Sequence, residues 1–273
     1  MSPLDDFRRL ALGELPQPDA AARSAILETA SGPALGRLAQ WAGWLKGWTG
    51  RIVPARPVIA LYAAVSDAEA DTAEAVRRRL EALTFGTAPV FAMAQRLGAG
   101  LDAYDLALDR PSGDFRIGPS MAERECAGTL AFGMEAMAKT PDLLMLGALG
   151  GSAAAHAALA ERLAGEGDPL RALCEVGGRE VAALTGAILS ARTQKAAVLL
   201  DGPAAALAAA VLHGLSPGAL EHCLASQAED AAHAALLERI GVPVMLDLQV
   251  TAGEGVAAMA ALALLQTAGS ALG

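Results

Sequence analysis

The sequence predicts an α/β fold of three layers, in which helices cover both faces of a mostly parallel sheet, plus a small N-terminal helical subdomain. The chain has 273 residues and is 53% hydrophobic but only 4% aromatic, so alanine, leucine and valine dominate its apolar content. That composition suits many packed helices around a modest sheet. Continuous apolar runs of strand length recur along the chain, as doubly covered parallel strands require. Helical patterns separate these runs, and such alternation is typical of α/β proteins.

The N-terminal part is predicted to be helical over residues 3–47. Trp41, Trp44 and Trp48 repeat at three and four residues, so they share one helix face. Packing is the preferred interpretation of this face, with a dimer contact as the alternative. We therefore divide the chain into an N-terminal helical cap (1–50) and an α/β Rossmann-like domain (51–273).

The strands and helices of the larger domain follow from its apolar runs. We predict strands at 58–65, 101–108, 142–147, 195–202 and 242–248. Helices are predicted between them at 67–83, 120–138, 152–164, 178–191, 203–213 and 229–240, and "VAAMAALALL" (256–265) is typical of a buried helix.

Charge and composition exclude several classes of function. The net charge is −9, and the one basic cluster, Arg77 to Arg79, alternates with glutamates at helical spacing, so it indicates a solvated helix face rather than a nucleic-acid site. The three cysteines are far apart in the sequence, so no disulfide framework is predicted. The four histidines include no HxxxH or HxH pair, so no metal site is predicted. No cofactor is expected. No apolar run approaches the roughly 18 residues of a membrane span. The N-terminus lacks the pattern of a secretory signal, so we expect a cytoplasmic protein without membrane or nucleic-acid partners.

Ligands of such folds bind where the carboxyl ends of the strands turn into helices. The loops at this edge supply the candidate phosphate- or ligand-binding residues: Gly147, Gly150, Gly151, Ser152, Gly177, Gly178, Gly202, Gly253 and Gly255. They also supply three candidate catalytic carboxylates: Glu254, Glu180 and Asp201. Each carboxylate has a structural alternative, because Glu180 and Glu254 stand at helix starts and Asp201 can cap the helix that begins near Pro203.

Other nucleophile and phosphate motifs are missing from the sequence. No Ser-His-Asp set can be nominated, although His156 follows the glycine turn closely enough to reach the cleft. A GxxxxGK[ST] motif is absent, which argues against a nucleoside triphosphatase.

The loops also occur in a recognisable order. The segments are "GPALGRLAQWAGWL" (32–45), "FGTAPVFAMAQRLGAGLDAYDLAL" (85–108), "IGPSMAERE" (117–125), "LGALGG" (146–151), "DPLRALCEVGGREVAALTGAIL" (168–189), "VLLDG" (198–202) and "HAALLERIGVPVMLDLQVTAGEG" (233–255). Because these segments occur in this order and spacing, the chain resembles the nicotinate-nucleotide–dimethylbenzimidazole phosphoribosyltransferase (CobT-like) family. The resemblance implies a parallel-sheet α/β fold with a small helical domain, usually a homodimer.

The resemblance also implies a reaction in cobalamin lower-ligand biosynthesis. This reaction moves phosphoribose from nicotinate mononucleotide to a benzimidazole nitrogen and releases nicotinate. An anion cradle must hold the phosphate, polar groups must stabilise an oxocarbenium-like centre, and a carboxylate must take the benzimidazole proton.

This chain departs from the family at the positions that meet these requirements. The family's Asp-His-Gly after the first strand is Ala63-Ala64-Val65, and its Ser-His pair is Ser226-Gln227. Alanines replace further polar residues: Ala148 replaces a Glu, Ala153 to Ala155 replace Asn-Thr-Thr, and Ala205-Ala206 replace Ser/Thr. A segment with a basic residue is deleted between Leu159 and Asp168, and the family's catalytic Glu lies beyond Gly273.

Three interpretations stay open on the sequence alone. The first is a divergent pseudoenzyme that binds nicotinate mononucleotide, a benzimidazole-like molecule or a protein partner such as a true transferase. The second is an active phosphoribosyltransferase with a relocated catalytic carboxylate. A structural oligomer subunit joined through the tryptophans is a weaker third interpretation.

Overall fold

The computed structural model of the protein describes residues 2–29, 31–68, 72–250 and 254–272. Its strands are β1 (Pro57–Ala64), β2 (Gly100–Asp105), β3 (Leu143–Gly150), β4 (Ala197–Leu200), β5 (Cys223–Gln227) and β6 (Val244–Leu246). They form one sheet in the order β2-β1-β3-β4-β5-β6, and every neighbouring pair in the described chain is parallel. The predicted parallel α/β sheet is therefore confirmed.

The helices lie on both faces of this sheet. Those before the sheet are α1 (Asp5–Leu12), α2 (Ala20–Leu27), α3 (Gly32–Leu35) and α4 (Arg37–Thr49). Those among the strands are α5 (Ala73–Thr84), α6 (Pro89–Leu97), α7 (Glu123–Gly133), α8 (Ala153–Arg162), α9 (Pro169–Val176), α10 (Arg179–Thr193), α11 (Pro203–Leu215) and α12 (Ala231–Arg239). The helix α13 (Val256–Leu272) follows the last strand. None of these described helices is long and apolar enough to cross a membrane.

Strand β1 shows why the fold has three layers. All eight of its residues are buried, because successive side chains point to opposite faces and both faces are covered. Ala60 and Tyr62 pack into a core with α7, α9, α10 and α11. Ile59 and Leu61 pack into a second core with α4, α5, α6 and α13. The continuous apolar run that predicted this strand thus serves two cores at once.

The prediction of five strands was incomplete, because β5 was missed. This strand has polar residues at its carboxyl end, and a run of only three small or apolar residues precedes them. All five residues are nevertheless buried. The hydroxyl oxygen of Ser226 lies 3.1 Å from the carbonyl oxygen of Leu200 and 2.6 Å from Asp201 Oδ1, so acceptors at the end of the neighbouring strand satisfy this polar group.

The helix predictions were also inaccurate at one helix start and omitted two helices. The helix predicted over 67–83 begins only at Ala73, where the Thr72 hydroxyl accepts from the Ala75 N–H at 3.2 Å and caps α5. Helices α6 and α9 were not predicted, although each begins with a proline, Pro89 and Pro169, which favours a helix start.

The three tryptophans of α4 lie against the amino ends of β5 and β6. Trp44 and Trp48 are buried, and both indole N–H groups donate to the Glu221 carbonyl oxygen, at 3.2 and 3.1 Å. The guanidinium of the buried Arg192 lies 4.3 Å from the centre of the Trp48 ring. These contacts agree with the packing interpretation for Trp44 and Trp48. Trp41 is only partly buried.

Candidate functional site

Two glycine turns meet at the carboxyl edge of the sheet. Gly150 and Gly151 end β3 with φ angles of 78° and 91°, which L side chains rarely adopt. Gly177 and Gly178 connect α9 to α10. Because β3 is central in the sheet and α10 packs across it, the two turns face each other, and the side chain of Glu180 lies between them.

The Glu180 carboxylate occupies the space beside both turns. A Cβ atom at Gly151 would lie 2.7 Å from its Oε1, and one at Gly178 would lie 2.2 Å from the same oxygen. Only 1% of this side chain is exposed. His156 Nε2 lies 2.9 Å from Glu180 Oε1, so the buried carboxylate has a hydrogen-bonding partner from helix α8. The space beside the turn is therefore occupied by a carboxyl group that belongs to the protein itself.

Asp201 caps a helix, but a different helix from the one expected. Its Oδ2 accepts from the Gly255 N–H at 2.9 Å, and its Oδ1 accepts from the Ala258 N–H at 3.0 Å, so it caps α13. The Ser226 hydroxyl donates to Oδ1 at 2.6 Å. Burial raises the pKa of Asp201, and these hydrogen bonds oppose that rise. Because Asp201 stands just before Pro203 in the sequence, it was expected to cap α11. The first N–H groups of α11 instead receive no side-chain cap.

Glu254 is paired with an arginine from the other side of the site. Arg79 Nε donates to Glu254 Oε1 at 2.6 Å, with 18% of the glutamate side chain exposed. Glu254 also has a φ of 58°, a conformation that non-glycine residues adopt rarely. Arg77 and Arg78 are exposed, as the prediction of a solvated helix face requires, and Arg79 is 40% exposed but also pairs with Glu254.

The remaining candidates are placed as follows. Gly147 lies within β3, where a Cβ would be 3.0 Å from the Leu61 side chain. Ser152 is buried and caps α8, because its hydroxyl accepts from the Ala155 N–H at 3.1 Å. Gly202 (φ 84°) and Gly255 (φ 87°) adopt left-handed backbone on either side of Asp201. Gly253 lies outside the described residues.

Sequence reasoning missed several polar residues at this edge. The amide of Gln227 accepts from the Val250 N–H at 3.2 Å and donates to the Val250 carbonyl oxygen at 2.5 Å, which fixes the loop after β6. Glu229 lies near Gly202, and burial followed by repulsion from Asp201 raises its pKa. A correct prediction of β5 would have placed both residues at the end of a strand. In the part of the chain that the structure describes, no cluster of three or more His, Cys, Asp or Glu residues could hold a metal ion.

Comparison with known proteins identifies the family. The sequence model of a family described as Phosphoribosyltransferase matches residues 16–166 and 152–273. Nicotinate-nucleotide–dimethylbenzimidazole phosphoribosyltransferases of Rhizobium meliloti and Brucella anthropi are each 36% identical to this chain over 315 residues, covering 97% of this chain and 93% of the relative. A solved structure of the same-named protein from Thermus thermophilus has a TM-score of 0.81 at 24% identity and covers 100% of this chain and 96% of its own, which shows the common fold.

The comparisons also show that this chain lacks residues that its relatives have within the matched region. The aligned length of 315 exceeds the 273 residues of this chain, so at least 42 aligned positions of the Rhizobium relative have no counterpart here. The two family matches overlap at residues 152–166, where the deletion after Leu159 is expected. With matches over nearly its whole length, the chain belongs to the nicotinate-nucleotide–dimethylbenzimidazole phosphoribosyltransferase family.

Proposed function

We propose that this chain is a divergent family member whose transferase activity is reduced or absent and which acts as a ligand- or partner-binding paralogue in cobalamin lower-ligand biosynthesis. Its small-molecule ligand is nicotinate mononucleotide or a benzimidazole-like compound. Its protein partner is a second copy of the chain or a true transferase. The cytoplasmic location and the dimer expected from the sequence belong to the same proposal.

One observation carries this proposal: internal contacts engage each of the three nominated carboxylates. Asp201 accepts hydrogen bonds from three donors, Glu254 is paired with Arg79, and Glu180 is buried against His156. A general base must reach the proton that it removes and must be free to accept it. A carboxylate that already holds a helix start or an arginine meets this requirement poorly, because transferring a proton to it disrupts those contacts.

The phosphate-binding role of the glycine turn is weakened for a related reason. A phosphate group at Gly151 would approach the Glu180 carboxylate, and like charges repel each other strongly in a partly buried site. Asp201 and Glu229 add negative charge at the same edge. The polar residues that the family places in this loop are Ala153 to Ala155 here, so no side chain of those three residues offsets the repulsion.

One geometric feature favours the alternative of an active transferase. His156 and Glu180 form an acid–base pair beside the glycine turn, and 17% of the His156 side chain is exposed. An imidazole held by a buried carboxylate is an arrangement that enzymes use for proton transfer. In this alternative, Glu180 orients His156 and the imidazole takes the benzimidazole proton.

Release of nicotinate from nicotinate mononucleotide and dimethylbenzimidazole tests the proposal. We expect the rate to be at least about 10³-fold below that of the Rhizobium meliloti relative under the same conditions, because each missing stabilising group typically costs about 10²–10³ in rate. Parallel calorimetry measures binding of each ligand. The alternative would be established by turnover near that of the relative, provided that His156→Ala and Glu180→Gln abolish it. The control Glu161→Gln, an exposed glutamate of α8, should retain this turnover.

A further inference from the structure

A second cavity lies at the opposite end of the sheet from the candidate site. It has a volume of about 580 Å³ and lies at the amino ends of β5 and β6, under α2 and α4. Cys223, Pro243, Trp41 and Trp44 are among the residues that line it. Its size is within the range of pockets that hold small molecules. The candidate site lies at the carboxyl ends of the strands and leaves this cavity without a role.

The cavity offers aromatic surface with unpaired positive charge. Arg23, Arg37 and Arg239 line it, and within the described chain Arg23 and Arg239 make neither a hydrogen bond nor an ion pair through their side chains. The guanidinium of Arg37 lies 5.0 Å from the centre of the Trp41 ring and donates to the carbonyl oxygen of Val244. This contact holds a cation against the partly buried indole.

The acidic residues of the cavity do not cancel this charge. Glu221 is already paired with the buried Arg192, 3.2 Å away. Among the lining residues, the negative charge of Glu238 is therefore outnumbered by the positive charges of three arginines. This surplus of positive charge stands out in a chain whose net charge is −9. A further unused polar group is the buried Nδ1 of His213, another lining residue, which has no hydrogen-bond partner among the described residues.

We propose that this cavity binds a flat aromatic molecule that carries a carboxylate. The ring stacks against Trp41 in the place where solvent now reaches the indole, and the carboxylate pairs with Arg23 or Arg239. Guanidinium groups bind carboxylates through paired, charge-assisted hydrogen bonds. The tryptophans exclude water from the ring, so the ligand gains both apolar contact and charge pairing.

Isothermal titration calorimetry measures binding to this cavity without a spectroscopic reporter. Titration with 2-naphthoate is expected to give a saturable heat, whereas neutral 2-naphthamide binds at least about ten-fold more weakly, as the loss of a charge-assisted hydrogen bond predicts. The double variant Arg23→Gln/Arg239→Gln and the variant Trp41→Leu should each weaken 2-naphthoate binding by about ten-fold or more. Arg96→Gln, an exposed arginine of α6, is the matched control and should bind like the wild type.

Three results would overturn the proposal. Equal affinities for 2-naphthoate and 2-naphthamide would show that the arginines do not select an anion. Unchanged affinity in the double variant would place the probe elsewhere. The third result is that 2-naphthoate shows no saturable binding, while sedimentation velocity shows a dimer that the variant Trp41→Leu dissociates. That result would assign this surface to contact between two copies of the chain.

Discussion

Replacing Gly186 by alanine is expected to lower the free energy of unfolding by about 3 kcal/mol or more, at the upper end of overpacking effects in protein cores. Gly186 lies on α10 where it crosses α7, and a Cβ there would be only 1.9 Å from the Leu130 carbonyl oxygen. The contact is reciprocal, because a Cβ at Gly133 would be 1.8 Å from the Ala183 carbonyl oxygen. Both helices would have to separate, and α10 is buried along most of its length.

Gly128 provides the matched control on α7. A Cβ at this position meets no atom within 4 Å, so Gly128→Ala should leave stability unchanged or raise it by up to about 1 kcal/mol through helix propensity. Urea unfolding followed by circular dichroism measures both variants against the wild type. If Gly186→Ala lowered the free energy of unfolding by less than about 1 kcal/mol, helices α7 and α10 would not be in the close contact argued from these glycines.

The second large effect is expected at Asp201, where alanine should lower the free energy of unfolding by about 3 kcal/mol. The substitution leaves the N–H groups of Gly255 and Ala258 without their acceptor, and a buried unsatisfied group costs about 1–3 kcal/mol. It also removes the cap of α13 and the nearer of the two acceptors of Ser226. Asp201→Asn should be less severe, because its amide oxygen still accepts from Ala258 and Ser226 while its NH₂ group cannot accept from Gly255.

Glu229 is the control for charge at the same edge. Glu229 is exposed and its carboxylate makes no hydrogen bond within the described chain, while partial desolvation raises its pKa. Glu229→Ala should therefore change the free energy of unfolding by no more than about 1 kcal/mol, since no buried donor loses its partner. Thermal unfolding of Asp201→Ala, Asp201→Asn and Glu229→Ala separates the loss of a helix cap from the loss of a negative charge. If Asp201→Ala proved as stable as Glu229→Ala, Asp201 would be free for chemistry and not a structural cap.

Much of the fold could be predicted because burial on both faces of a strand leaves a continuous apolar run in the sequence. The run from Val58 to Val65 has no charged residue, as a central parallel strand requires. Strand β5 escaped prediction because Ser226 and Gln227 look like loop residues until their partners are known. Those partners depend on the order of strands in the sheet, which the local pattern does not contain.

The site could be located from the sequence, but its contacts could not. The glycine turns and the carboxylates were found because parallel strands bring their carboxyl ends together. The pairing of Arg79 with Glu254 joins residues 175 positions apart, and that of Ser226 with Asp201 joins the ends of two neighbouring strands. No spacing rule links such residues. Whether a carboxylate is free or engaged is decided by these long-range contacts, and this distinction separates the two functional alternatives.

A crystal structure of the protein soaked with nicotinate mononucleotide tests the central claim most directly. We expect Glu180 to stay beside His156, Asp201 to keep its bonds to Gly255 and Ala258, and no phosphate to lie on the turn at Gly150 and Gly151. A mononucleotide whose phosphate is bound at that turn, with Glu180, Asp201 or Glu254 released from its present partner and facing the ribose, would contradict the account.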